Sequence, residues 1–235
     1  MLTIGLLGGM SWESSIEYYR LVNELVRDRS GGLHSAQCVL YSVDFAPIEA
    51  MQADGRWDDA ARALATAAQA VEAAGAKVLV LCTNTMHKVA DEVQAAIDIP
   101  LLHIADITAA AVHRAGLRHL SLLATGYTME QRFYRDRLEG HGLEITVPDA
   151  ADRATVHRVI YDELCQGIIR DESREQYRDI IARQVSQGAE GVILGCTEIE
   201  LLISAADVTV PVFPTTRLHA EAAVAYALGS ASQAS

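Results

Sequence analysis

The sequence has little with which to hold a metal, a nucleic acid or a bilayer. Only four of its 235 residues are cysteine (Cys38, Cys82, Cys165 and Cys196), and no two form a C-x-x-C pair. That spacing gives neither a zinc motif nor the framework of a small disulfide-stapled domain. With no signal peptide to read, the expected setting is a reducing, cytoplasmic one. Positive charge is scarce: 19 Lys and Arg against 31 Asp and Glu leave a formal charge of −12. This excludes a nucleic-acid surface and leaves an anion to be caught locally rather than from a distance. Apolar runs are strand-length and broken by Gly or charge, so none is expected to span a membrane.

What is present is a core-rich alternation, with half the residues apolar. Thr3–Leu7, Gln37–Val43, Lys77–Leu81 and Ile99–His103 read as short strands. Ser11 is a plausible cap for the helix through Tyr18 and Leu25, and Trp57–Ala74 is an alanine-rich helix closed by Gly75. Asp44–Pro47 reads as the end of the second strand. The helix after the fourth strand is expected to be capped by Asp106 or Thr108. The pattern then restarts. His119–Ala124, Leu143–Val147, Val192–Leu194 and Val208–Phe213 are strands, and helices run around Asp152–Cys165, Ser173–Gln187 and Leu218–Leu228. The small polar tail Gly229–Ser235 reads as frayed.

Such alternation predicts an α/β protein of two similar lobes, each a parallel sheet flanked by helices, with the active site in the cleft between them. The expected division is 1–106 plus about 212–235 for the first lobe and 107–211 for the second. Ligands in such folds bind beyond the carboxyl ends of strands, which singles out the loops at 8–12, 82–85, 125–128 and 195–198. Gly5-x-x-Gly8-Gly9 is not a dinucleotide fingerprint, because the spacing differs from G-x-G-x-x-G.

The most informative stretch is Gly188–Glu200. Its strand ends at Gly195, and Cys196 stands between that strand and an expected helix beginning near Thr197 and Glu198. This position is one in which backbone N–H groups and the helix dipole lower a thiol pKa and hold a carboxylate. A buried structural cysteine is the plainer alternative. An earlier copy of the segment begins at Gly75. Counted without gaps from Gly75 and Gly188, Thr83 pairs with Cys196, and Cys82 pairs with Gly195. Neighbouring extended residues point to opposite sides, so Cys82 and Thr83 cannot share a direction unless the backbone bends.

Gly8-Gly9-Met10, Cys82-Thr-Asn-Thr-Met-His87, Thr125-x-x-Thr128 and Gly195-Cys-Thr-Glu198 together resemble the cofactor-independent Asp/Glu/hydantoin racemase family, over essentially the whole chain. The resemblance implies a homodimeric amino-acid racemase with no cofactor and no metal, taking a free amino acid as substrate. One group removes the proton from Cα and a second returns a proton to the other face. By motif, Cys196 and Thr83 are the catalytic pair. Asn84, Thr85 and Thr197 bind the substrate carboxylate, and Met10, Ser11 and Thr125 line the pocket. Cys82, His87 and Glu198 are auxiliary candidates. For Thr125, helix capping is an equally good reading.

Two departures from the family pattern stand out. The family places Cys where this chain has Thr83, with Cys82 one residue earlier. Three possibilities follow: an asymmetric Thr83–Cys196 pair, a two-thiol site using Cys82, or single-thiol chemistry of the decarboxylase or isomerase kind. A silent ligand-binding protein is a fourth. Second, aspartate racemases of the family place basic residues in the stretches that here read Phe45–Glu49 and Leu164–Gly167, which contain none. This favours neutral or basic substrates as much as acidic ones; Arg56, Arg153 and Arg158 read as surface charges, with substitution for the missing basic residues as the alternative.

Overall fold

The computed structural model describes residues 1–229, so the expectation of a frayed end at 230–235 lies outside the described residues. The chain divides into two compact units: Met1–His103 with the chain from His219 onward, and Ile104–Leu218. Among the described residues no helix is long and apolar enough to cross a membrane.

The first unit holds strands β1 (Ile4–Gly8), β2 (Cys38–Ser42), β3 (Val78–Leu81) and β4 (Leu101–Leu102), all parallel, in the order β2-β1-β3-β4. Its helices are α1 (Trp12–Ser30), α2 (Phe45–Ala53), α3 (Trp57–Ala73) and α4 (Ala90–Ala95), with a 3-10 turn at Thr85–Val89. Period-2 alternation decides what each face of the sheet buries. Leu79 and Leu81 join Leu64, Ala68 and Val71 of α3 on one side. Val78, Val80 and Cys82 join Tyr18, Val22 and Val26 of α1 on the other. Cys82 is therefore the continuation of an inward-facing strand row.

The second unit repeats the plan with α5 (Ile104–Arg114), β5 (His119–Ala124), α6 (Gly126–Glu130), α7 (Arg132–Gly140), β6 (Glu144–Thr146), α8 (Ala150–Asp162), α9 (Asp171–Ser186), β7 (Gly191–Gly195), α10 (Ile199–Leu202) and β8 (Val212–Pro214). The strand order is β6-β5-β7-β8, again all parallel. The last helix, α11 (Thr215–Ala227), begins in this unit and ends in the first.

The expected division therefore needs correction. Residues from about 212 were assigned to the first lobe, but β8 pairs with β7, and the change of unit falls at 218/219, inside α11. At the other crossing the second unit begins at Ile104 rather than 107. The helix α5 starts at Ile104, so neither Asp106 nor Thr108 caps it; Thr108 is buried and its hydroxyl donates back to the Ile104 carbonyl at 2.8 Å. Asp44–Pro47, expected only to end the second strand, instead opens α2. Pro47 occupies the first turn, where N–H groups have no intrahelical acceptor, and Asp44 caps the helix by accepting from Ala46 N–H at 3.3 Å.

In the second unit a buried carboxylate ties α8 to α9. Glu163 accepts from the Ser173 hydroxyl at 2.6 Å and from Arg158 at 3.0 Å, with Arg170 at 4.0 Å. The Ser173 bond, then that of Arg158, holds its carboxyl below the ordinary value of 4.5, against the opposing effect of burial. A carboxyl held low in the folded state is protonated first in the unfolded chain, so its stabilising contribution is full above pH 4.5 and is lost as pH falls below it. Glu163→Gln should cost about 1.5–3 kcal/mol at pH 7. It should also flatten the acid limb of stability in urea titrations between pH 3 and 7; a difference from wild type that does not change with pH would refute the linkage.

Candidate active site

In the first unit the candidate residues lie on two loops at the carboxyl ends of adjacent strands. After β3, the Thr83 N–H donates to the Leu81 carbonyl at 2.8 Å, which bends the chain as it leaves the strand. Beyond that bend, Thr83, Asn84, Thr85 and His87 are all buried. His87 Nδ1–H donates to the Thr83 carbonyl at 2.7 Å, and the His87 N–H to the Asn84 carbonyl at 3.1 Å, so the turn is braced from within. The Thr83 hydroxyl has no hydrogen-bond partner among the described residues. Cys82 is fully buried in an apolar cluster with Ile4, Leu6 and Tyr18, its sulfur 3.6 Å from the Val80 carbonyl, and burial pushes its thiol pKa well up.

The loop after β1 is knitted together by serines. Gly9 N–H donates to Ser15 Oγ at 2.7 Å, and that hydroxyl donates to the Ser11 carbonyl at 2.9 Å. Ser11 caps α1, its side chain accepting from Ser14 N–H at 3.4 Å. Met10 is buried in the same cluster as Leu7, Leu81 and Met86. Of the three residues expected to line the pocket, the two on this loop have structural work: Ser11 as cap, Met10 as core.

Behind the Thr83 turn stands a row of histidines. The ring of His87 meets that of His103 edge-on, centroids 4.6 Å apart, and that of His219 at 5.8 Å. His219 Nε2–H donates to the Leu102 carbonyl at 2.8 Å, which leaves Nδ1 to accept from the Tyr18 hydroxyl at 2.9 Å. Burial, helped by the neighbouring His87, lowers its pKa to about 3, so His219 is neutral at physiological pH. Among the described residues no group of three or more His, Cys, Asp or Glu is arranged to hold a metal ion.

In the second unit Ala124 and Gly195 are register partners, so Thr125 and Cys196 leave adjacent strands side by side. Thr125 caps α6, accepting from Thr128 N–H at 3.4 Å. Cys196 is 8 % exposed, and its thiol donates to Glu198 Oε2 at 2.9 Å. The Thr197 hydroxyl accepts from Thr216 at 3.0 Å, Thr216 N–H donates to Glu200 at 2.8 Å, and Thr215 donates to the Leu194 carbonyl at 2.8 Å. Sequence reading missed this Thr215–Thr216 brace, because it placed the start of the last helix at Leu218. A Thr-Thr pair just after a proline was the available signal.

The expectation that a helix N-terminus depresses the Cys196 pKa is overturned. Burial, then the charge of Glu198, pushes the thiol well above its ordinary value. The following helix, α10, has only 4 residues, too few for an appreciable macrodipole. Cys196 therefore carries its proton at neutral pH, and Glu198 is the acceptor in contact with it.

The two loops correspond position by position. Lys77 N–H donates to the Thr3 carbonyl and Glu190 N–H to His119; Leu79 N–H donates to Pro100 and Val192 N–H to Pro211. Gly75 and Gly188 precede them at φ 100° and 106°. This shared ladder pairs Thr83 with Cys196, as the ungapped count does, and Cys82 with Gly195.

Two four-stranded parallel sheets, each flanked by helices, match the fold of the Asp/Glu racemases. The chain belongs to the Asp/Glu/hydantoin racemase family, whose sequence model matches residues 7–223. It is 56% identical to a Yersinia pestis protein described as a candidate Asp/Glu racemase, with a TM-score of 0.91 over 97% of this chain and 100% of that one. An aspartate racemase homologue from Pyrococcus horikoshii is 34% identical, with a TM-score of 0.86 over 97% of this chain and 100% of that one. The broad specificity amino-acid racemase of Bacillus subtilis is 24% identical over 71% of this chain and 72% of its own length.

Proposed function

We propose that the protein racemises free amino acids without pyridoxal phosphate, with Cys196 serving one face of the substrate Cα and Thr83 the other. The observation that carries this reading is the positional equivalence of Thr83 and Cys196 in two copies of one strand–loop unit. Each is buried, and each has a proton to give. Asn84, Thr85 and Thr197 hold the α-carboxylate and stabilise the charge that spreads onto it as the Cα proton leaves.

A protonated thiol is not a base, so a proton must first leave Cys196. Glu198 takes it along the existing S–H···O contact, and negative charge passes from carboxylate to sulfur without a further charge being buried. The thiolate then removes the Cα proton. The Thr83 hydroxyl, a poor base, delivers its proton to the other face while taking one from solvent, so that no alkoxide is left. It serves return better than removal, and the two directions differ in kcat and in KM while their kcat/KM stays equal, because the enantiomers are equally stable. The inward-facing Cys82 does not favour a two-thiol site.

The substrate range extends beyond Asp and Glu. Arg56 is engaged with Asp54 and Asp59, and Arg158 and Arg170 with Glu163, so none of these three is spare to read a side-chain carboxylate. Proton NMR in deuterated buffer with a panel of L- and D-amino acids tests the reading. Loss of the α-proton signal with appearance of the other enantiomer is expected. No exchange across the panel would refute it.

Glu198→Gln separates the proton acceptor from mere packing. Activity at pH 7 should fall by about 10²-fold or more. It should recover partly towards pH 10, because the thiol then ionises directly, relieved of the Glu198 charge. A profile parallel to that of wild type would exclude the proposed transfer.

A further inference from the structure

The second unit carries a cavity of about 460 Å³, open to one side, where α6 meets α8. Tyr127, Glu130, Arg153 and His157 line it. Its size falls within the range of small-molecule sites, roughly 300–1,000 Å³. We propose that this cavity, whose lining includes neither Thr83 nor Cys196, binds a free α-amino acid with a planar side chain.

The charge arrangement points to a zwitterion. Arg153 Nε donates to Glu130 Oε1 at 3.2 Å and its Nη1 donates to the Pro148 carbonyl at 2.8 Å, which fixes the guanidinium. Arg153 Nη2 and Glu130 Oε2 have no partner among the described residues. A simple anion would meet Glu130, and a simple cation would meet Arg153. A ligand with adjacent carboxylate and ammonium groups satisfies both spare positions at once. Charged hydrogen bonds of this kind are also the stronger class.

The opposite wall is aromatic. The rings of Tyr127 and His157 stand edge to face with centroids 6.1 Å apart, and His157 lies against Tyr161 at 4.7 Å. The His157 ring is held in place: Gly126 N–H donates to its Nδ1 at 3.1 Å, so in the neutral ring the remaining donor is Nε2–H. Planar side chains pack well against such a wall. Gly126 follows Thr125 directly, so whatever moves His157 reaches the loop carrying Thr125. Binding stands on the cavity alone; coupling through Thr125 also rests on the racemase reading.

The test is fluorine NMR titration of the full chain carrying Cys196→Ala, which prevents turnover. The probe is 4-fluoro-L-phenylalanine, with 4-fluorophenylacetate and 4-fluorophenethylamine as single-charge controls. Saturable binding of the amino acid is expected, weaker by about tenfold or more for each control. A similar loss is expected in Arg153→Met and in Tyr127→Ala, with thermal melts confirming that both variants fold. An affinity unchanged by both substitutions would place the probe elsewhere and overturn the proposal, as would the absence of saturation. In the Cys196 enzyme the same probe should change the KM for a turned-over amino acid, and Arg153→Met should abolish that change while leaving basal turnover intact. A KM indifferent to bound probe would overturn the coupling. If no amino acid is turned over, the titration still decides the binding.

Discussion

Cys196→Ala should lower α-proton exchange by about 10³–10⁴-fold, the share typical of a positioned acid–base group. Some stability should be lost as well, because Cys196 is buried in the apolar cluster of the second unit, so a thermal melt must show that the variant is folded when exchange is measured. Cys196→Ser is the sharper comparison. A hydroxyl preserves the hydrogen bond to Glu198, yet it is far harder to ionise than a thiol, so the serine variant should be nearly as inactive as the alanine variant. Cys82→Ala should behave in the opposite sense. Its sulfur lies among Ile4, Leu6 and Tyr18, so the substitution should reduce stability by about 1–2 kcal/mol while leaving turnover largely intact. An alanine variant at 196 that keeps more than a tenth of wild-type exchange would remove Cys196 from the chemistry. Loss of exchange on changing Cys82 alone, with the fold preserved, would restore the two-thiol mechanism.

The second large effect is on stability. Gly9→Ala should destabilise the first unit by about 3 kcal/mol or more, lowering Tm by roughly 10 °C. Gly9 has φ 94°, and a Cβ there would lie 2.2 Å from the Val43 carbonyl oxygen and 2.4 Å from the Val43 nitrogen. Neither atom can yield easily, because Val43 N–H donates to the Gly8 carbonyl at 3.0 Å and Gly9 N–H is held by Ser15 at 2.7 Å. Gly167 supplies the control. Its backbone is left-handed, with φ 70° and ψ 15°, but a Cβ there meets nothing within 4 Å, so Gly167→Ala should show only the left-handed backbone cost of about 1–2 kcal/mol. Urea titration of the two variants measures the difference. Equal losses would show that the clash at Gly9 relaxes and that only its dihedral angle matters.

These outcomes bear on what could be read from the chain. The alternation of short apolar runs with helical stretches carried the α/β architecture, because a strand buried on both faces leaves a compact signature of branched residues ending in glycine or threonine. The repeat was legible for the same reason: Gly75 and Gly188 are each forced into positive φ by the end of a helix, so they mark the same point in both copies. Other features were hidden because they depend on neighbours distant in sequence. The thiol of Cys196 was expected to be acidic from its place between a strand and a helix. Its pKa is instead set by burial and by a carboxylate two residues away, and the sequence cannot say which way that side chain turns. Ser11 and Thr125 look the same whether they cap a helix or face a ligand. The position of the boundary depended on β8, whose partner is chosen by tertiary pairing rather than by its own three residues.

The crossing inside α11 has a consequence for the order in which the protein matures. Ala220, Ala223, Val224 and Ala227 complete the apolar cluster over one face of the first sheet, and Ala227 accepts from Leu2 N–H at 2.8 Å. The second unit is one uninterrupted segment, whereas the first is split between the two ends of the described chain. During synthesis the half that leaves the ribosome first is therefore the last to close. The sheet face that α1 covers only in part waits for α11 through the translation of more than a hundred residues. Once Leu218 has emerged, the second unit has all of its chain, while the first still lacks the stretch from His219 onward.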